Sequence, residues 1–85
     1  MEIRILGTGC PNCQRLERIA REAAAEMGVE ATFTKVTDMR LMMTYDIVGT
    51  PGLVIDGKVV SSGRIPTKAE VSIWIANAAM AEGGA

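Results

Sequence analysis

Eighty-five residues with a mass of 9.0 kDa make one small domain and leave no room for a second. Hydrophobic residues are 48% of the chain and aromatics only 4%, so the core must be aliphatic and wholesale disorder is excluded. Nine basic against ten acidic residues leave a net charge of -1, which gives no electrostatic footprint for nucleic acid or an anionic membrane. No histidine is present, which excludes Cys–His and Ser–His–Asp nucleophile pairs and every His-bearing zinc site. Cys10 and Cys13 are then the only strong nucleophiles.

Residues 2–6 alternate and then run apolar, which suits a strand, and Gly7-Thr8-Gly9 breaks it. The spacing of Leu16, Ile19, Ala20, Ala23, Ala24 and Met27 predicts a helix, with Pro11 in its first turn and Gly28 as its stop signal. Glu17 and Arg21 stand four apart and are expected on its outer face. Val29 to Val36 is β-branched, with Phe33 among its residues, and reads as a second strand. Thr37 or Asp38 caps a short second helix whose Met39, Met42 and Met43 are expected to share a face packed on the sheet. Gly49-Thr50-Pro51-Gly52 ends it.

Leu53-Val54-Ile55, Asp56-Gly57 and Lys58-Val59-Val60 form a hairpin signal with a type I′ turn. Thr67 and Glu70 form a capping box opening a last helix, which carries Val71, Trp74, Ile75, Ala78 and Ala79 inward. The order is β-α-β-α-β-β-α. It implies an α/β domain over residues 1–82, with a four-stranded mixed sheet flanked by helices on both faces and a flexible tail at 83–85. The N-terminus carries Glu2 and Arg4 and does not read as a signal peptide, and no apolar run approaches a membrane span. The expected address is cytoplasmic, where thiols are kept reduced and a CxxC pair is catalytic or metal-binding rather than structural.

This placement puts Cys10 at the mouth of the first helix and Cys13 one turn inside it. Unpaired N–H groups and partial positive charge at a helix start stabilise a thiolate, lowering the Cys10 pKa from its free value of about 8.5. Cys10 is then the attacking sulfur, and the inner Cys13 resolves the mixed disulfide. As a mere crosslink the pair would add roughly 2 kcal/mol, against about 4.7 for a 100-residue loop, so it is a poor staple. A nucleotide reading of Gly7-Thr8-Gly9 fails because the third glycine of GxGxxG would fall at Asn12. The glycines instead free the backbone near Cys10 for close approach of a substrate.

Cys10-Pro11-Asn12-Cys13 opening a helix, Thr50-Pro51 about 40 residues on before a hairpin, and the element order resemble the thioredoxin-fold family. Over essentially its whole length the chain is similar to the small thioredoxin-like redox-active disulfide proteins. The resemblance implies a minimal thioredoxin fold and a protein-disulfide reductase that acts through Cys10 and Cys13. It implies that Pro51 is cis and packs beside the cysteines, and that Thr50 offers backbone groups to an extended substrate. Gly9, Pro11, Asn12 and Gly63 would line the same groove. It further implies protein disulfide substrates, a flavin-dependent reductase as electron donor, no bound cofactor, no metal and a monomer.

The chain also departs from that family. Gly9 replaces the usual Trp before the first cysteine, and Arg4 stands at the spacing of the buried acid that takes the proton of the inner cysteine. Ser62-Gly63-Arg64-Ile65 replaces the glycine–diacid motif that holds glutathione. Asn12 adds no cation beside Cys10, so a reducing potential is expected.

Two alternatives stay open on sequence. Gly7 to Cys13 also matches the Gly-x-x-Cys-x-x-Cys loop of heavy-metal-associated domains, whose soft thiolates suit copper or zinc, although those domains end on a strand. A binding scaffold with incidental cysteines is the other. Trp74 is expected in the core, Arg64 as a solvated loop charge, and nothing in the sequence gives Tyr45 or Asp46 a role in proton transfer.

Overall fold

The computed structural model describes residues 1–83. The chain runs β1 (Glu2–Leu6), α1 (Pro11–Glu26), β2 (Thr32–Val36), α2 (Met39–Met42), β3 (Gly52–Ile55), β4 (Lys58–Ser62) and α3 (Lys68–Gly83). The strands form one mixed sheet in the order β2-β1-β3-β4, with β1 parallel to β2 and antiparallel to β3. This is the expected α/β architecture.

Alternation along the central strands divides the apolar residues between two faces. Ile3 and Ile5 of β1 and Leu53 and Ile55 of β3 are buried against Leu16, Ala20, Ala23 and Ala24 of α1 and Val71 and Ile75 of α3. Leu6, Val54 and Val36 point the other way and are covered by Met42, with Tyr45, Ile47 and Val59 packed alongside. Both central strands are therefore sandwiched, which fixes the C-terminal end of β1 and the loop that follows it. Cys10 ends that loop as the cap of α1, and Cys13 follows in the first turn of the helix.

The local signals act where they were read. Gly28 follows the Met27 C-cap with φ +69, and Asp56 and Gly57 both take positive φ in the β3–β4 turn, as a type I′ hairpin needs. β4 carries a bulge opposite Leu53 and Val54. Trp74 packs part-buried against the larger core.

Other expectations are corrected. β2 starts at Thr32 rather than Val29, because Val29 is held in the turn by its N–H to the Ala24 carbonyl (3.0 Å). Met27 lies beyond the core-facing stripe and is exposed. The methionines of α2 do not share a packed face: Met42 is buried, while Met39 and Met43 are 67% and 81% exposed. A helix of one turn presents a single side chain to the sheet. Arg64 is not simply solvated but forks onto the Glu70 carboxylate at 2.8 and 3.1 Å. α3 continues to Gly83, and the rest of the expected tail, 84–85, lies outside the described residues.

The capping box closes as its spacing requires: the Thr67 hydroxyl accepts from the Glu70 N–H at 3.1 Å and Glu70 accepts from the Thr67 N–H at 3.1 Å. With Arg64 clamped on it, the Glu70 carboxyl is pulled down to about 2. A carboxyl whose pKa falls on folding contributes stability that is complete above its unfolded pKa and is lost as pH drops toward the folded one. Glu70→Gln should therefore flatten the acid limb of a Tm-against-pH profile between about pH 5 and pH 2, leaving the neutral slope unchanged. Parallel acid limbs in the two proteins would contradict this.

Candidate active site

The loop leaving β1 turns at Gly7, whose N–H donates to the Val36 carbonyl at 3.0 Å, tying it to the end of β2. Four residues later, at Pro11, the chain enters α1. Cys10 is the N-cap, in extended conformation, with Pro11 at the first helical position where no N–H is missed. The Cys10 sulfur occupies the capping role that a Ser or Asp oxygen usually fills, accepting the Cys13 N–H at 3.3 Å.

The two sulfurs lie 2.6 Å apart as free thiols, Cys10 partly exposed and Cys13 buried. Their environments push them in opposite directions. The Cys13 thiol and then the Cys13 and Asn12 backbone N–H groups, all directed at Cys10, lower its pKa. Burial, reinforced by the neighbouring Cys10, raises that of Cys13. Cys10 is thereby the more acidic of the two thiols.

Among the expected groove residues, Gly9, Pro11, Asn12, Thr50 and Gly63 are solvent-exposed and Pro51 is buried. The Thr50–Pro51 peptide is cis. The Pro51 carbonyl accepts the Gly63 N–H at 3.1 Å, joining the end of β4 to the loop before β3. Thr50 and Thr8 line one open groove of about 440 Å³ together with Gly49, Val48, Ile47, Tyr45, Met39 and Met42 of α2 and Met43 just after it. Val48 is 91% exposed, so with Met39 and Met43 it makes an unpaired apolar margin next to the cysteine loop.

Arg4 does not reach the cysteines. It lies on the α2 face of β1, where it pairs with Glu2 and donates to the Tyr45 hydroxyl. The side chain of β1 that faces the Cys13 cavity is Ile5.

Two residues stand otherwise than the sequence reading expected: Gly7, read as freeing the backbone for a substrate, is buried against Cys13, and Glu17 is turned inward. A Cβ built on Gly7 would stand 2.3 Å from the Cys13 sulfur, so the bare backbone there makes the seat for the inner thiol. Glu17, expected on the outer face, is instead only 16% exposed, with Lys35 at 3.2 Å and Arg21 at 2.9 Å, and it lines a cavity with Cys13. Its position four residues after Cys13, on the same helix face, was the available signal.

A family model described as "Thioredoxin domain" matches residues 1–76. The chain is 44% identical over 71 residues to a thioredoxin of Methanothermobacter thermautotrophicus, covering 84% of this chain and 92% of that protein. It is 39% identical over 69 residues to a thioredoxin of Methanocaldococcus jannaschii, covering 81% and 79%.

The close approach at Gly7 gives a direct test. Gly7→Ala should push the Cys13 sulfur off its seat, leaving alkylation of Cys10 within about twofold but slowing closure of the Cys10–Cys13 disulfide severalfold. Unchanged closure on a stopped-flow trace would show that the seat has no role.

Proposed function

This chain belongs to the thioredoxin family, and on that premise we propose that it is a thiol–disulfide oxidoreductase that reduces protein disulfides through Cys10 and Cys13. The reading is carried by one observation, two cysteine sulfurs 2.6 Å apart at a helix start, the outer one capping the helix and the inner one buried.

The Cys10 thiolate attacks one sulfur of a substrate disulfide, and the other substrate sulfur leaves with the electron pair and takes a proton. Cys10 is now in a mixed disulfide. Cys13 loses its proton and attacks Cys10, forming the Cys10–Cys13 disulfide and releasing the second substrate thiol. Two electrons have passed from the dithiol to the substrate, so no resident cofactor is required. An external donor must restore the dithiol, and a flavin-dependent reductase of the thioredoxin-reductase kind fits the family. Such exchange between dithiol and protein disulfides fits a reducing, cytoplasmic setting.

The open groove lined by Thr8 and Thr50 supports a protein substrate. Of the residues expected to line it, Thr50 does so and offers backbone groups for an extended segment, while Gly9, Pro11, Asn12, Pro51 and Gly63 lie outside its lining. Met39 and Met43 supply flexible thioethers that adapt to varied apolar side chains.

Cys13→Ser should accumulate mixed disulfides through Cys10 when incubated with oxidised protein substrate, and Cys10→Ser should lose disulfide reduction altogether. Reduction that survives in Cys10→Ser, or no adduct with Cys13→Ser, would overturn the reading. Stoichiometric copper or zinc binding by both thiols without disulfide turnover would instead favour a soft-metal module.

A further inference from the structure

The second chemical step needs a route for a proton. Cys13 is only 5% exposed and desolvation raises its thiol pKa, which disfavours release of its proton directly to bulk water. Cys13, without Cys10, lines a cavity of about 60 Å³ together with Ile5, Gly7, Gly9, Gln14, Glu17, Lys35 and Thr37. By the same measure one water needs roughly 10–15 Å³, and Glu17, Lys35, Thr37 and Gln14 offer the polar partners that ordered water requires.

Only one group on that lining is a base. Ile5 and the glycines carry no titratable side chain, Gln14 and Thr37 are neutral, and Lys35 is a cation. Glu17 stands one helical turn beyond Cys13, its Oε1 held by Lys35 from β2 and its Oε2 by Arg21 from α1. Each carboxylate oxygen keeps a lone pair free. β1 contributes no charge here, because Arg4 is turned to the opposite face, and α3 contributes no lining residue, its Lys68 being paired with Glu26 and its Glu70 with Arg64.

We propose that Glu17 accepts the Cys13 proton, through water in this cavity, during release of the mixed disulfide. The inference rests on the exchange reading above. In the step, the Cys13 S–H bond breaks toward the bridging water, which passes a proton to the Glu17 carboxylate. The Cys13 sulfur bonds to Cys10, and the substrate sulfur departs with its electron pair. Lys35 and Arg21 keep Glu17 ionised and ready, and for the same reason it holds the proton briefly and returns it to solvent. Glu17 acts through water on Cys13, so it is a positioning and relay residue.

A chromogenic aryl disulfide reports the two steps separately, since one coloured thiolate is released by Cys10 attack and the second by Cys13. Glu17→Gln keeps the shape of the side chain and removes the base. It should leave the first phase within about twofold and slow the second by about tenfold or more at pH 7. The gap should close as hydroxide begins to ionise Cys13 unaided, in the range above about pH 9. Lys35→Gln should move the acid limb of the second phase to higher pH, because Glu17 then protonates more easily.

A second phase that is unchanged or faster in Glu17→Gln would overturn the proposal, as would a gap constant across pH. A faster phase would mean that the carboxylate only opposes thiolate formation by its charge. Wild-type protein with two phases alongside such a result leaves the exchange reading standing. Wild type with no first phase removes that reading and this inference together.

Discussion

The first turn of α1 directs its free N–H groups at one sulfur atom, and the rest of the molecule can be understood as holding that turn in place. Cys10 caps the helix with a soft, ionisable atom where a hydroxyl or carboxylate would ordinarily stand. The capping contact and the charge preference of a helix start then act on a group whose ionised form is its reactive form. The helix end stays put because β1 is sandwiched between two apolar layers, and because the Gly7 N–H fastens the connecting loop to β2.

Function in a two-thiol site depends on the sulfurs being unlike. Here the unlikeness comes from a single helical turn: three residues carry the chain from a partly exposed cap to a buried position against Ile5 and Gly7. Burial that disfavours the Cys13 thiolate leaves Cys10 the more readily ionised sulfur, as the proposed exchange requires. The same burial obliges the proposed exchange to supply a proton path. In the proposal above, the small cavity that Cys13 shares with Glu17 and Lys35 serves as that path.

Most of the framework was legible in the sequence because the deciding interactions are local. Pro11, Gly28, Asp56-Gly57 and the Thr67–Glu70 box each act within a few residues of themselves, and the apolar stripe of α1 has enough turns to declare its face. Met39 and Met43 show where such reading fails. Their spacing satisfies a helix face, yet α2 has four residues, so only Met42 meets the sheet and its neighbours are left on the rim of the groove.

Gly7 and Glu17 were misread for a different reason. Each matters through a side chain distant in space-filling terms but not in pattern: Gly7 through the volume of the Cys13 sulfur, Glu17 through Lys35 on a neighbouring strand. The Glu17–Arg21 spacing read correctly as an ion pair, but which way the pair faced was set by packing of α1 over β2. Arg4 carried the opposite lesson, since strand alternation sends it to the far face and gives the cavity wall to Ile5.

The most direct test is the ionisation of the outer thiol itself. Alkylation of Cys10 in the reduced protein, followed by mass against pH, should show half-reaction well below the value of about 8.5 for a free cysteine, and should return to that value in denaturant. A folded-state midpoint equal to the denatured one would mean that the helix start does nothing to the sulfur it faces, and the account built on it would fail.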